Sequence, residues 1–339
     1  MQQQLIAIVL GEVSREVHGE LFPPPVGKSK PVYTGTAAPR QVKIGEESSD
    51  IDGLRVTFER RGYAPDVLLI RAQVDVADVF DPSVFNLEDR IYDEAYRILE
   101  DHGGSRDFSE QYSVFAVSGY EGPPEQFLRH GSIIASLLKS ERLDLDPKEV
   151  EHTLEAQIKY ARDDLAIVDW DGAFLFDADG HFEEDVELLV LANLQLLRHR
   201  ILDRRLDERL ARLSDMASKT ADGRSFRHGE LAGDLRETIQ IRTSSISALQ
   251  RMEREIKLIG DWYSARLFDL AMGKFRVDAW RTSIRSKLES VEDIYSMIAE
   301  NFSVSAKHRV EWYQIIAFFV LQIGWFILIL LELWQMARG

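Results

Sequence analysis

The chain has no cysteine, which excludes disulfides, thiolate metal sites and cysteine nucleophiles together. It has no proline after Pro147, so the strongest helix breaker is missing from more than half of its length. Positive charge is scarce: 41 Lys and Arg stand against 57 Asp and Glu, for a formal charge of −16. General nucleic-acid binding rests on phosphate neutralisation, so no nucleic-acid partner is expected. The eight histidines include no HxH, HxxxH or HExxH pair, the close spacings that zinc requires. No GxSxG elbow or GxGxxG turn occurs, and GKSK at 27–30 has Phe22 where a phosphate loop needs its first glycine. No catalytic residue is assigned, and the chain reads as a non-enzyme without a cofactor.

What is present is a long apolar run. Ile315 to Leu331 carries no charge, and the flanking aromatics Trp312, Tyr313 and Trp334 extend it to 312–334, about 35 Å of helix at 1.5 Å per residue. That length spans a bilayer core of about 30 Å, with the aromatics at the two interfaces. Only 335–339 follow, so a C-terminal anchor is expected. Lys307 and Arg309 precede the span and Arg338 follows it, which by the positive-inside rule puts the N-terminal part in the cytoplasm. The opening MQQQLIAIVLGEVS lacks the basic region and cleavage site of a signal peptide. The expected location is a bacterial-type inner membrane, crossed once. Gln322 falls near mid-membrane and Glu332 near the outer end, polar positions able to bond between helices or line a pore.

Upstream, apolar residues recur every seven positions: Leu249, Ile256, Tyr263, Leu270, Val277, Ile284, Val291 and Ile298. Leu288, Tyr295 and Phe302 complete a second row in the last third. This is the pattern of a self-association seam. It predicts one stalk helix over 235–311 running into the span, with bends at Gly260 and Gly273. The expected partners are a second copy of the chain, the lipid bilayer and a cytoplasmic protein.

Residues 1–180 read as a mixed α/β body. Strands are expected at Leu5–Leu10, Leu54–Phe58, Val67–Val74, Tyr112–Ser118, Leu165–Trp170 and Ala173–Phe176. Helices are expected at Leu87–Glu100, Pro124–Ser140 and Pro147–Gln157. Residues 20–50, with three prolines at 23–25, read as an extended arm or loop. A further helix covers 181–217, with an aliphatic face and six arginines interleaved with acids, the mark of a salt-bridged surface. A linker at 218–234 then makes a helical hairpin with the stalk. The overall class is α+β. The acidic stretch DWDGAFLFDADG offers Asp169, Asp171, Asp177 and Asp179 as weak divalent-cation candidates, but both Asp pairs end in Asp-Gly, a tight-turn signal.

Two resemblances follow from these pieces. LLVLANLQLLRHRILDRRLDERL (188–210), SKLESVEDIYSMIAENF (286–302) and SAKHRVEWYQIIAFFVLQIGW (305–325) are similar to helices of the family required for meiotic nuclear division. That resemblance implies an oligomeric, membrane-tethered protein and no active site. The plan of a cytoplasmic α/β domain on a long helix also resembles CorA-type magnesium channels, without their Gly-Met-Asn loop or second span. Together these readings imply a self-associating membrane-anchored scaffold, or alternatively a homo-oligomeric single-span channel or ion-responsive gate.

Overall fold

The run LIAIVL near the start has no polar alternation, as befits a strand buried on both faces. In the computed structural model, which describes residues 1–21, 41–221 and 262–336 with 243, 246, 247 and 250 besides, that run is the centre of a nine-stranded sheet. The strands are β1 (Gln2–Val13), β2 (Glu20–Leu21), β3 (Gln41–Ile51), β4 (Leu54–Tyr63), β5 (Val67–Asp75), β6 (Gly104–Ser118), β7 (Gln157–Ile158), β8 (Asp164–Val168) and β9 (Gly172–Asp177). Their order is β2-β3-β4-β5-β1-β6-β9-β8-β7. Every neighbouring pair is antiparallel except β6 and β9, which run parallel.

Alternate residues of β1 feed two cores. Leu5, Ala7 and Val9 enter the first, covered by α1 (Val84–Asp101), a 3₁₀ turn (Pro124–His130) and α2 (Gly131–Leu138). Leu87, Ile91, Ala95, Ile98 and Leu99 make the buried stripe of α1. Leu99 fits between two strands because both present glycine: a Cβ on Gly11 or Gly104 would lie 2.6 or 2.5 Å from its methyl groups. Ile6, Ile8 and Leu10 enter the second core, covered by α4 (Glu183–Ala221) and α5 (Trp262–Lys274). Between these, α3 (Pro147–Glu155) starts with proline at its first turn, and Asp146 caps it by accepting from the Lys148 amide at 2.9 Å.

The described chain divides into two units, 1–204 with 244–284, and 205–243 with 285–339. The body is therefore not confined to 1–180: the start of α4, all of α5 and the start of α6 (Val277–Met336) complete its second core. In the second unit, the distal part of α4 and the middle of α6 bury Leu206, Leu213, Leu288 and Val291, and Lys287 pairs with Asp207 at 2.6 Å.

Three expectations need correction. Residues 41–50, read as part of an arm, belong to β3, paired along its length with β4 through the two-residue turn Asp52-Gly53, with φ of 56° and 78°. That turn has the left-handed pair a tight hairpin needs. Helix α4 continues over 218–221, read as linker. The stalk is not one helix: α5 and α6 meet at Phe275–Arg276, where Arg276 has φ of 50°. The break falls two residues past Gly273, where a bend was expected; Phe275 is buried in the second core and edge-on to Tyr112 at 5.5 Å, so side-chain burial seats the corner there. Residues 22–40, Leu249, Ile256 and Gly260 lie outside the described residues.

Candidate functional site

Among the described residues one helix is long and apolar enough to cross a membrane: Trp312–Ile329, with mean hydropathy 1.9 and no part of that window buried. Phe319, Leu321, Ile323 and Trp325 are all exposed, so the apolar surface surrounds the helix. Gln322 is exposed on it, as are Trp312, Tyr313 and Trp334. The side chains of Ile298, Phe302, Lys307, Arg309 and Glu332 lie outside the described set.

The heptad row is placed differently from its sequence reading. In the first unit Val277 and Ile284 are buried and Tyr263 and Leu270 half-buried; Tyr263, Leu270 and Val277 belong to the second core. In the second unit Leu288 and Val291 are buried by the chain itself and Tyr295 is half-buried. Among the described residues, the buried positions of this row cover the chain's own helices and sheet. Apolar spacing of seven reports a buried stripe, whichever surface buries it.

The arginine face of α4 is tied down in the same manner. Arg200 pairs with Glu110, Arg198 donates to the Ala64 carbonyl at 3.2 Å, and Arg204 lies over the Phe108 ring at 4.6 Å. A surface laced to its own body is a poor phosphate track.

The acidic residues separate into two places. Asp169 is buried between Lys139 and Lys274, at 3.0 and 3.2 Å, and its amide closes the β8–β9 turn on the Gly172 carbonyl at 2.9 Å. Burial and the charge of Asp169 raise the pKa of Asp171 beside it. Asp177 shapes the turn into α4, accepting from the amides of Asp179 and His181 at 2.8 and 3.3 Å, with Gly180 at φ of 77°. Asp177, Asp179 and His181 offer ligand atoms within 4.8 Å of one another and could hold a divalent ion. His181 was invisible to a search for histidine pairs.

Sequence reasoning also missed the buried ionisable groups. On α1, Glu88 interrupts the apolar stripe; Ser113 donates to it, and the Tyr92 and Ser113 hydroxyls are hydrogen-bonded at 2.6 Å. Burial pushes Glu88 up to about 7 against the opposing effect of the Ser113 bond. On the other face, Arg61 joins Glu187 and Glu59, and Arg71 holds Glu183 through bonds of 2.6 and 2.7 Å. At the first turn of α4, Tyr263 donates to Asp185 at 3.3 Å and Ser264 to Glu184 at 3.4 Å. A cleft of about 540 Å³ opens where β1 ends, over Val13, Val17, Ile44 and Leu68 and rimmed by His18 and His102. Ser14 in its lining donates to the Gly103 carbonyl at 3.0 Å.

Comparison with known proteins gives relatives without an assigned activity. The profile of the family "Uncharacterized protein MJ0711, N-terminal domain" matches residues 24–183, from before β3 to the first residue of α4. Over 220 residues the chain is 28% identical to uncharacterized protein MJ0711 of Methanocaldococcus jannaschii, covering 65% of this chain and 66% of that protein. The chain thus spans just under two thirds of that relative's length. No solved structure matches. These matches do not support the resemblance to the meiotic nuclear division family or to CorA-type channels.

Proposed function

We propose that this protein is a membrane-anchored, non-enzymatic assembly protein, crossing a cell membrane once through α6 and holding its α+β body on the cytoplasmic side for a protein partner. One observation carries the anchoring: Trp312–Ile329 is apolar around its whole circumference and the chain buries none of it. An exposed apolar surface this large is stable only in lipid or against another apolar surface. Several charged groups of the body are held in structural pairs, Arg61 with Glu187 and Arg71 with Glu183 among them.

The test is flotation with phosphatidylcholine vesicles. Wild type is expected to float, and Phe319→Arg with Ile327→Arg to sediment with an unchanged circular dichroism spectrum. A wild-type protein that stays monomeric and unassociated in detergent-free buffer overturns the reading. Protease protection in sealed vesicles then reads the orientation.

Gln322 favours self-association within the bilayer as a second reading. An amide on an otherwise apolar helix gains a hydrogen-bond partner from another copy.

A further inference from the structure

Strand β3 leaves most of one edge open. β2 pairs with it only at Val42 and Lys43, so among the described residues the stretch 45–51 has a ladder on the β4 side alone. That ladder runs unbroken from Gly45 to the Asp52-Gly53 turn. A two-residue turn closes on a hydrogen-bonded pair, here Ile51 and Leu54, and bonded and non-bonded pairs alternate from it. Glu46, Ser48 and Asp50 therefore turn their amides and carbonyls outward, and all three residues are exposed.

Helix α1 runs beside this edge, and two clefts open between them. One, of about 460 Å³, lies where the turn end of β3 meets the middle of α1. It is acidic: Asp50, Asp52, Asp93 and Glu94 line it with Arg90 and Arg97. Both arginines are already paired, Arg90 with Asp52 and Arg97 with Glu94 and Asp101, while Asp93 has Arg106 at 3.7 Å. The other is the cleft at the end of β1, where Ile44 meets the last turn of α1 beside Val13, Val17 and Leu68. An open strand edge thus runs between an acidic cleft and an apolar one. A second copy of the chain is a poor occupant, because antiparallel pairing about Ser48 sets Glu46 of each edge against Asp50 of the other.

We propose that this groove is a strand-addition site for an extended basic segment of a protein partner, which rests on the reading of the body as a partner-binding part. The segment pairs its backbone with Glu46, Ser48 and Asp50. It sets a lysine or arginine at the acidic cleft and an apolar side chain in the other. Ile44 and Ile51 are seven positions apart, and the register shift between Lys43 and Gly45 gives β3 one extra residue there. A regular strand covers that length in about six residues, an even number that keeps both side chains on one face.

The experiment is fluorescence anisotropy of a labelled peptide with the full-length detergent-solubilised protein. The probe is a Thr/Val peptide of about nine residues, with one lysine and one leucine about six residues apart, made in both sequence orders. Saturable binding of one order is expected. Ser48→Pro removes an outward amide at a position where an edge strand tolerates proline, and should weaken binding about tenfold. Methylating alternate peptide amides, or replacing the lysine by glutamate, should weaken it at least as much. The methylated peptide, tested on wild type, decides the matter if Ser48→Pro fails to fold. No saturable binding, equal binding of the methylated or glutamate peptide, or a wild-type dimer that Ser48→Pro dissociates overturns the proposal. Vesicle flotation of the same samples separates the two readings: protein that floats without binding the peptide loses the groove alone, and protein that does not float loses the anchored reading whatever the peptide does.

Discussion

Lys274 Nζ lies 3.2 Å from one oxygen of buried Asp169, while Lys139 Nζ lies 3.0 Å from the other. One carboxylate thus joins the end of α5, the end of α2 and the β8–β9 turn. Removing the charge of a buried pair leaves its partners uncompensated. Asp169→Asn is therefore expected to cost about 3 kcal/mol, read as a lower urea midpoint at constant m-value. Lys274→Met, which leaves Lys139 in place, should cost less.

Glu88 gives a pH-dependent prediction of definite sign. Its native pKa is raised to about 7 by burial, so its neutral form supports the fold. That support is complete below its unfolded pKa of about 4.3 and is lost as pH rises through 7. Glu88→Gln keeps the shape and removes the ionisation. The variant should match wild type near pH 4 and exceed it in stability at pH 8, measured by urea unfolding at both values.

Phe174 is stacked with Phe115 at 4.8 Å and with Phe80 and Phe176 at 5.8 Å. It sits on β9, beside the one parallel pairing of the sheet. Phe174→Ala should cost about 3–5 kcal/mol through the cavity left behind, and thermal unfolding should show it. Phe174→Leu should recover most of that.

Ile284 has no exposed surface, so the chain itself surrounds it. Ile284→Asp should destabilise the fold whatever the oligomeric state, because a buried carboxylate without a partner is among the costliest substitutions. Exchange protection across α5 and the second core should fall. Retained protection with a changed mass by light scattering would instead return Ile284 to a seam between copies.

Self-association is expected to lie in the span. Light scattering of the detergent-solubilised protein should show more than one chain, and Gln322→Leu should weaken the association. A ring of four or more chains leaves a pore geometrically open; a dimer encloses none and keeps the scaffold reading. A monomer removes self-association.

The strands and helices of the body were legible because each carries a local signal: the apolar run of β1, the prolines opening the 3₁₀ turn and α3, the stripe of α1. β3 was not. GEESSD has no apolar alternation, and its placement depends on pairing with β4, announced only by Asp52-Gly53. The seam was legible as a buried stripe, but its partner was not, since a residue such as Val277 reads alike whether a sheet or a second copy covers it. A bend near Gly273 was legible from helix propensity, but its seat at Phe275–Arg276 and the raised carboxyl of Glu88 depend on what surrounds them in space, which spacing does not encode.

The central place of β1 has a consequence for the order of events during synthesis. Translated before the other strands, it hydrogen-bonds to β5 and β6, and one of its faces is sealed only when α5 arrives. An emerging chain must hold one apolar face of this strand uncovered until α4 and α5 have been made, a state open to misassociation. The last residue of the second core, Val277, precedes the apolar window at Trp312 by about ten turns of helix. A delay in closing the second core therefore leaves the open face of β1 and the apolar window exposed together, both open to aggregation.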